Sequence, residues 1–304
     1  MNRCCRFMLS FVLTIAFTFT FVIPDAQASQ VTPYDLFKSA VKNLMRGDYE
    51  IAVENLTEAI ALKNDFGAAY SNRCLAYLQL QDYHNAIADC TQAINFVPNN
   101  AEAYLNRGLA HYRQGNYQAA IADDIKAIAL QGDDFRAYYN RGVARAAGGN
   151  FLEAIADYNL ALSQIPQTNT FPVADIYNDR GLAHLELANL QTAMLDFDMA
   201  IRLNANDDRA YFNRGCACTR SGNIKGAEHD FSEVIRINPS NALAYVNRGV
   251  ARHQLGYHQS AIADLNKAAE FFGHQGERIA YQKTLDLLKN LQQQIPSEIE
   301  ISLL

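Results

Sequence analysis

Residues 101–134 read AEAYLNRGLAHYRQGNYQAAIADDIKAIALQGDD, and residues 67–100 read GAAYSNRCLAYLQLQDYHNAIADCTQAINFVPNN in the same register. The register recurs at 135–168, 208–241 and 242–275. A diverged copy fills 33–66, and another fills 174–207 after five extra residues, Asn169 to Val173. A fixed period of this length marks stacked units, each too small to bury its own apolar face. The length of the chain therefore says little about domain number, because a stack grows without a single central core.

Equivalent positions of the copies carry equivalent chemistry. The fourth is aromatic (Tyr70, Tyr104, Tyr138, Tyr177, Tyr211, Tyr245), and the eighth is small (Ala40, Cys74, Gly108, Gly142, Gly181, Gly215, Gly249), where two helices must approach closely. Alanine fills the twentieth position in every copy, from Ala52 to Ala261, and the twenty-seventh in all but one, where Val234 stands. Pro98, Pro166 and Pro239 stop the second helix of their copies, and Gly115, Gly149, Gly222 and Gly256 mark the turn between helices. This pattern resembles the tetratricopeptide repeat family over residues 33–275. The resemblance implies an all-α, right-handed superhelical solenoid of seven antiparallel helix pairs that binds protein segments in its concave groove. The repeated Y-x-N-R-G-x-A units resemble those of bacterial, especially cyanobacterial, members. Some of these help to assemble membrane complexes, which implies an assembly factor or adaptor for envelope or thylakoid complexes. A self-associating structural solenoid and a regulatory module of an envelope enzyme are the alternatives.

Residues 1–28 have the layout of a secretory signal peptide: Arg3 and Arg6, an uncharged stretch from Phe7 to Pro24, then Ala26-Gln27-Ala28 before Ser29. Export to a periplasm, or to a thylakoid lumen in a cyanobacterial setting, is the expectation. An uncleaved anchor at residues 7–24 is the alternative. The formal net charge of −6 argues against a phosphate-seeking surface, so no nucleic-acid partner is expected. The seven histidines are scattered without metal-ligand spacing, and no phosphate-binding, nucleophile-elbow or dinucleotide fingerprint is present. No catalytic residue, metal site or cofactor is expected. Cys74 and Cys90 fall on facing helices of one copy, and the preferred reading is two small core side chains, with a bridge as the alternative. Cys216 and Cys218 lie in one helix, where such side chains diverge.

One pattern emerges only from comparing the copies. The seventh position is arginine in six of them (Arg73, Arg107, Arg141, Arg180, Arg214, Arg248), and the twenty-third is aspartate in the same six (Asp89, Asp123, Asp157, Asp196, Asp230, Asp264). The first copy lacks both and has Ser39 and Asn55. Joint presence and joint absence predict an ion pair across the two helices, either partly buried or on an exposed edge.

The resemblance also places the first helix of each pair on the concave face. Its sixth position holds Asn72, Asn106, Asn140, Asn213 and Asn247, with Lys38 and Asp179 in the other copies. Such amides can pair with the backbone of an extended peptide, or can simply tie neighbouring helices together. Leu109, Tyr139 and Phe212 add apolar surface, and Arg113, Arg136, Arg209 and Arg220 add positive charge. Glu102, Asp175, Asp179 and Glu186 add negative charge to the same face. A groove of this kind suits an extended, amphipathic segment with some acidic character. The ninth position is apolar throughout, so capture of a C-terminal carboxylate, as in chaperone-binding members, is not expected. The insertion at 169–173 reads as a surface loop. Tyr281, Leu285, Leu288, Leu291 and Ile295 recur at helical spacing, as in a helix capping the last repeat over 276–304.

Overall fold

Alanine, leucine and isoleucine at helical spacing, with Asp or Asn just ahead of most of them, give each copy two helices. The computed structural model describes residues 31–165 and 171–294 and is all-α over them. The copies form the pairs α1 (Pro33–Arg46) and α2 (Tyr49–Leu62), α3 (Gly67–Gln79) and α4 (Tyr83–Phe96), and α5 (Ala101–Arg113) and α6 (Tyr117–Leu130). They continue with α7 (Phe135–Ala147) and α8 (Phe151–Gln164), α9 (Phe171–Glu186) and α10 (Leu190–Leu203), and α11 (Asp208–Arg220) and α12 (Ile224–Ile237). The last pair is α13 (Ala242–Gln254) and α14 (His258–Gln275), and α15 (Arg278–Gln294) closes the array as a cap. The helices of each pair run antiparallel. The array opens on a capping box, in which Thr32 and Asp35 satisfy each other's backbone N–H groups.

The turn inside each pair demands a left-handed residue at the fifteenth position. Gly47, Gly115, Gly149, Gly222 and Gly256 supply it with φ between 80° and 84°. Gln81 and Ala188 take the same conformation without glycine's freedom, at φ 60° and 59°.

Helices of a pair meet where the eighth position faces the twenty-fourth. A Cβ on Gly142 would come within 2.7 Å of the Tyr158 ring, and one on Gly181 within 2.7 Å of Phe197. Glycine on one helix therefore makes room for an aromatic ring on the other. In the second copy the same two positions are Cys74 and Cys90, with Cα atoms 5.4 Å apart, and a disulfide joins them. This corrects the expectation of two separate core thiols. Positions that face each other in every copy fall within bridging range whenever both are cysteine. Closing so short a loop stabilises by about 3 kcal/mol in the chain-entropy account. Cys216 and Cys218 are free.

Odd-numbered helices also touch across repeats, α3 with α5, α5 with α7, α7 with α9 and α9 with α11. Even-numbered helices do not approach one another to that extent among the described residues. The odd layer is the tighter one, and it lines the inside of the curve.

Part of the insertion is helical. Phe171 to Val173 form the first turn of α9, which at 16 residues is longer than the 13-residue first helices of its neighbours. Asn169 and Thr170 lie outside the described residues, as do Ile295 and the signal-peptide or anchor segment at 1–28. No described helix is long and apolar enough to cross a membrane. In α15, Leu291 packs on Ala261 and Leu265 with Leu287 and Leu288 beside it, while Tyr281 stays exposed.

All six arginine–aspartate pairs are present as two-pronged forks, with closest contacts of 2.6–2.7 Å. The aspartates are buried, and the arginine side chains retain only 14–21% exposure, which places the row inside the helix interface. Each guanidinium also lies 5.1–5.7 Å from the ring of the fourth-position tyrosine of its own copy. In five copies its remaining nitrogen reaches back to the preceding repeat. Arg73 donates to Thr57, Arg107 to Thr91, Arg180 to Asn159, Arg214 to Asp198 and Arg248 to Ser232. Arg180→Leu or Asp196→Leu alone should cost about 3–5 kcal/mol, because each strands the partner's charge in the interface. The double variant should lose less than the sum. Urea unfolding of the four proteins measures this, and additive losses would mean that the two side chains act independently.

Candidate functional site

Three adjoining cavities run along the odd-helix face from α5 to α13. The first, of about 400 Å³, is lined by Leu109, Tyr112, Arg113, Asp124, Tyr139, Asn140 and Asp179 among others. The second, of about 290 Å³, lies between Tyr112, Val143, Phe151, Leu182 and Glu186. The third, of about 390 Å³, is bounded by Asn178, Leu182, Phe212, Asn213 and Leu243. Asp179 borders all three, so they form one continuous trough.

The structure brings together Leu109, Arg113, Tyr139 and Asn140 in the first cavity, and Phe212 and Asn213 in the third. Several residues anticipated for the groove, Asn213 of the third cavity among them, are engaged within the protein. Asn72 donates to the Ala68 carbonyl of its own helix at 3.0 Å, and Asn213 to Asn178 of the preceding repeat at 3.0 Å. Asn106 is buried, and Asn247 is half-buried outside the three cavities. Arg220 donates to the Leu185 carbonyl at 3.0 Å.

The positive charge expected on this face is largely neutralised. Arg136 forks onto Glu102 of the preceding repeat and onto Asp134, and Arg209 pairs in the same way with Asp175 and Asp207. Both bridges join second positions of adjacent copies. The signal was in the sequence, as the order Glu102, Arg136, Asp175, Arg209. The eleventh position hides a similar role: Arg145 reaches Asp157 at 2.7 Å and Arg252 reaches Asp264 at 2.9 Å.

Acidic groups in the trough are less well matched. Asp124 occupies the twenty-fourth position, which is Leu56, Cys90, Tyr158, Phe197, Phe231 and Leu265 in the other copies. It is 1% exposed, and neither carboxylate oxygen has a hydrogen-bond partner among the described residues. Burial, reinforced by the neighbouring Asp123, pushes its pKa up to about 8, against the pull of Arg141. Asp179 accepts a 2.8 Å hydrogen bond from the Tyr139 hydroxyl, yet burial still holds its pKa above the ordinary carboxylate range. Sequence reasoning passed over Asp124. The clue was a lone acid in a column of apolar residues. Among the described residues, no group of three or more His, Cys, Asp or Glu is placed to hold a metal ion.

Family models described as tetratricopeptide or TPR repeats match residues 74–115, 101–134, 125–169, 208–241 and 242–271, together more than half of the chain. The chain is a tetratricopeptide-repeat protein. Among solved structures, it is similar to YrrB, described as a TPR protein with an unusual peptide-binding site, at 23% identity and a TM-score of 0.52. That match covers 65% of this chain and 97% of YrrB. A tetratricopeptide repeat protein from Parabacteroides merdae matches at 19% identity and a TM-score of 0.63, over 83% of this chain and 98% of its own. Pseudomonas aeruginosa pilF matches at 16% identity and a TM-score of 0.61, over 72% of this chain and 96% of its own. Likeness at such identities shows the shared repeat fold. No curated protein matches the chain.

The folded-state pKa of Asp124 lies above its unfolded value, so the folded protein favours the protonated carboxyl. Its contribution to stability is therefore fully present below about pH 4 and is lost as pH rises towards 8. Asp124→Asn should remove that loss. The stability of the variant relative to the parent should climb between pH 4 and 8, by at most about 1.4 kcal/mol per pH unit, and level off above. Urea unfolding across that range reads the difference, and parallel profiles would place the carboxyl in contact with water or a partner.

Proposed function

We propose that this protein is a non-enzymatic scaffold whose concave face binds an extended protein segment between α5 and α13. The observation that carries the reading is the trough itself: three cavities joined at Asp179, with apolar walls and polar groups spaced along them. An extended chain meets such a surface with its backbone on Asn140 and Tyr139 and alternate side chains on Leu109, Val143, Leu182 and Phe212. The described peptide-binding site of YrrB supports the same use of the fold.

Export suits the chain as well. The basic start, apolar stretch and A-x-A order at 1–28 are those of a cleaved leader, and the Cys74–Cys90 disulfide suits an oxidising compartment. In that setting the role is assembly factor or adaptor for envelope or thylakoid membrane complexes. N-terminal sequencing of the native protein should read Ser29 first; a start at Met1 in the membrane fraction would mean an anchor.

The groove is tested by affinity selection from a randomised ten-residue peptide library on the purified chain. Asn140→Ala combined with Tyr139→Ala should weaken the selected peptides by about 0.5–1.5 kcal/mol for each hydrogen bond lost. Glu153→Ala, on the exposed outer face of α8, should leave them unchanged. Equal binding by the groove variant, with loss only in the outer-face variant, would put the site elsewhere.

A further inference from the structure

Two departures from the repeat's own pattern converge on the first cavity. Asp124, from the third copy, stands where every other copy has an apolar residue or cysteine, and Asp179, from the fifth, stands where five copies have asparagine. Both line the same 400 Å³ space, with Tyr139 of the intervening copy between their repeats. Asp124 is buried against the backbone of Gly108, where a Cβ would meet its Oδ1 at 3.1 Å, and neither of its carboxylate oxygens has a partner among the described residues. A buried carboxyl without a partner destabilises the free protein, and none of the other six copies carries an acid at this position. An occupant of the cavity that pairs with this carboxyl would offset that cost.

The chemistry of that occupant follows from what is unmatched. Arg209, which also lines the cavity, is already committed to Asp175 and Asp207. Arg113 is exposed and also lines a smaller cavity beside Gln79 and Gln81. The lining thus holds two carboxyls, one arginine already paired, and the exposed Arg113. Tyr112 and Tyr139 supply aromatic walls, which favour a cation over an anion.

We propose that this cavity takes a lysine or arginine side chain of the bound segment, with the cationic head between Asp124 and Asp179. The proposal rests on the groove reading above and specifies the partner as an extended segment with one basic anchor. It reverses the acidic preference drawn from the arginines in the sequence, since Arg136, Arg209 and Arg220 are spent within the protein. A bound cation also opposes the raised Asp124 pKa, because its charge favours the carboxylate and offsets the desolvation of burial.

The test uses the peptides selected from the randomised library at pH 8. They should share one lysine or arginine position. Replacing that residue with norleucine should weaken binding to the parent protein at least tenfold. Asp124→Leu restores the residue of the first and seventh copies at this position and so leaves the fold intact, which its thermal midpoint checks. It should bind the basic peptide at least tenfold more weakly while binding the norleucine peptide as well as the parent does. Asp179→Asn, the residue of five other copies, gives an independent second variant with the same expected direction. Selected peptides with no shared basic position, or full affinity retained by both variants, would overturn the basic anchor and leave the groove standing. Failure of the parent to enrich any peptide would overturn the groove reading and the anchor with it.

Discussion

An arginine that touches three elements at once holds this array together. In five repeats its fork grips an aspartate on the facing helix, its plane lies near a tyrosine of its own helix, and its last nitrogen bonds a residue of the preceding repeat. Pair and inter-repeat contact are thereby coupled in one side chain. A planar guanidinium with five donors can do this, whereas a lysine ammonium cannot. The pair adds little by itself, because desolvation offsets the attraction, but it fixes the register in which one repeat meets the next. Alanines at the twentieth and twenty-seventh positions, nearly all fully buried, then set how close the helices come.

The same arginine shows where the array is irregular. Arg141 has no acceptor in the preceding repeat, because the twenty-fifth position there is Ile125 in place of the Thr, Asn, Asp or Ser found in the other donors' partners. Arg145 joins Arg141 on Asp157 instead. Beside Ile125 stands Asp124, the unpartnered acid. Two adjacent positions of α6 therefore break the pattern together, and they do so next to the largest cavity of the trough.

Most of the fold was legible because the repeat writes its contacts seven times. The period gave the helix pairs, the fifteenth-position glycines gave the turns, and the shared absence of Arg and Asp from the first copy gave the pairing. The Cys74–Cys90 bridge was less legible, since a small residue facing a larger one reads as plain packing until the two positions are known to face each other directly. Groove electrostatics were the least legible. Arg136 and Arg209 looked like ligand-facing charges, but each is held by an aspartate two residues upstream and by an acid 34 residues upstream in the adjacent copy, the latter a relation that within-helix spacing does not reveal. Asn72 and Asn213 likewise spend their amides on the protein.

A stack of repeats distributes stability by nearest-neighbour contact, so a local cost is borne locally and can be covered by adjacent units. The disulfide reinforces the second copy, and α15 covers the apolar end of the seventh. Asp124 lies between these reinforced regions, in the third copy. A destabilising carboxyl near the middle of a one-dimensional array is flanked on both sides by intact interfaces, so it lowers the stability of its own unit without fraying an end. The middle is also where a bound segment can contact repeats on either side. Tolerance of an unpaired charge and access to the proposed ligand thus coincide at the same repeats.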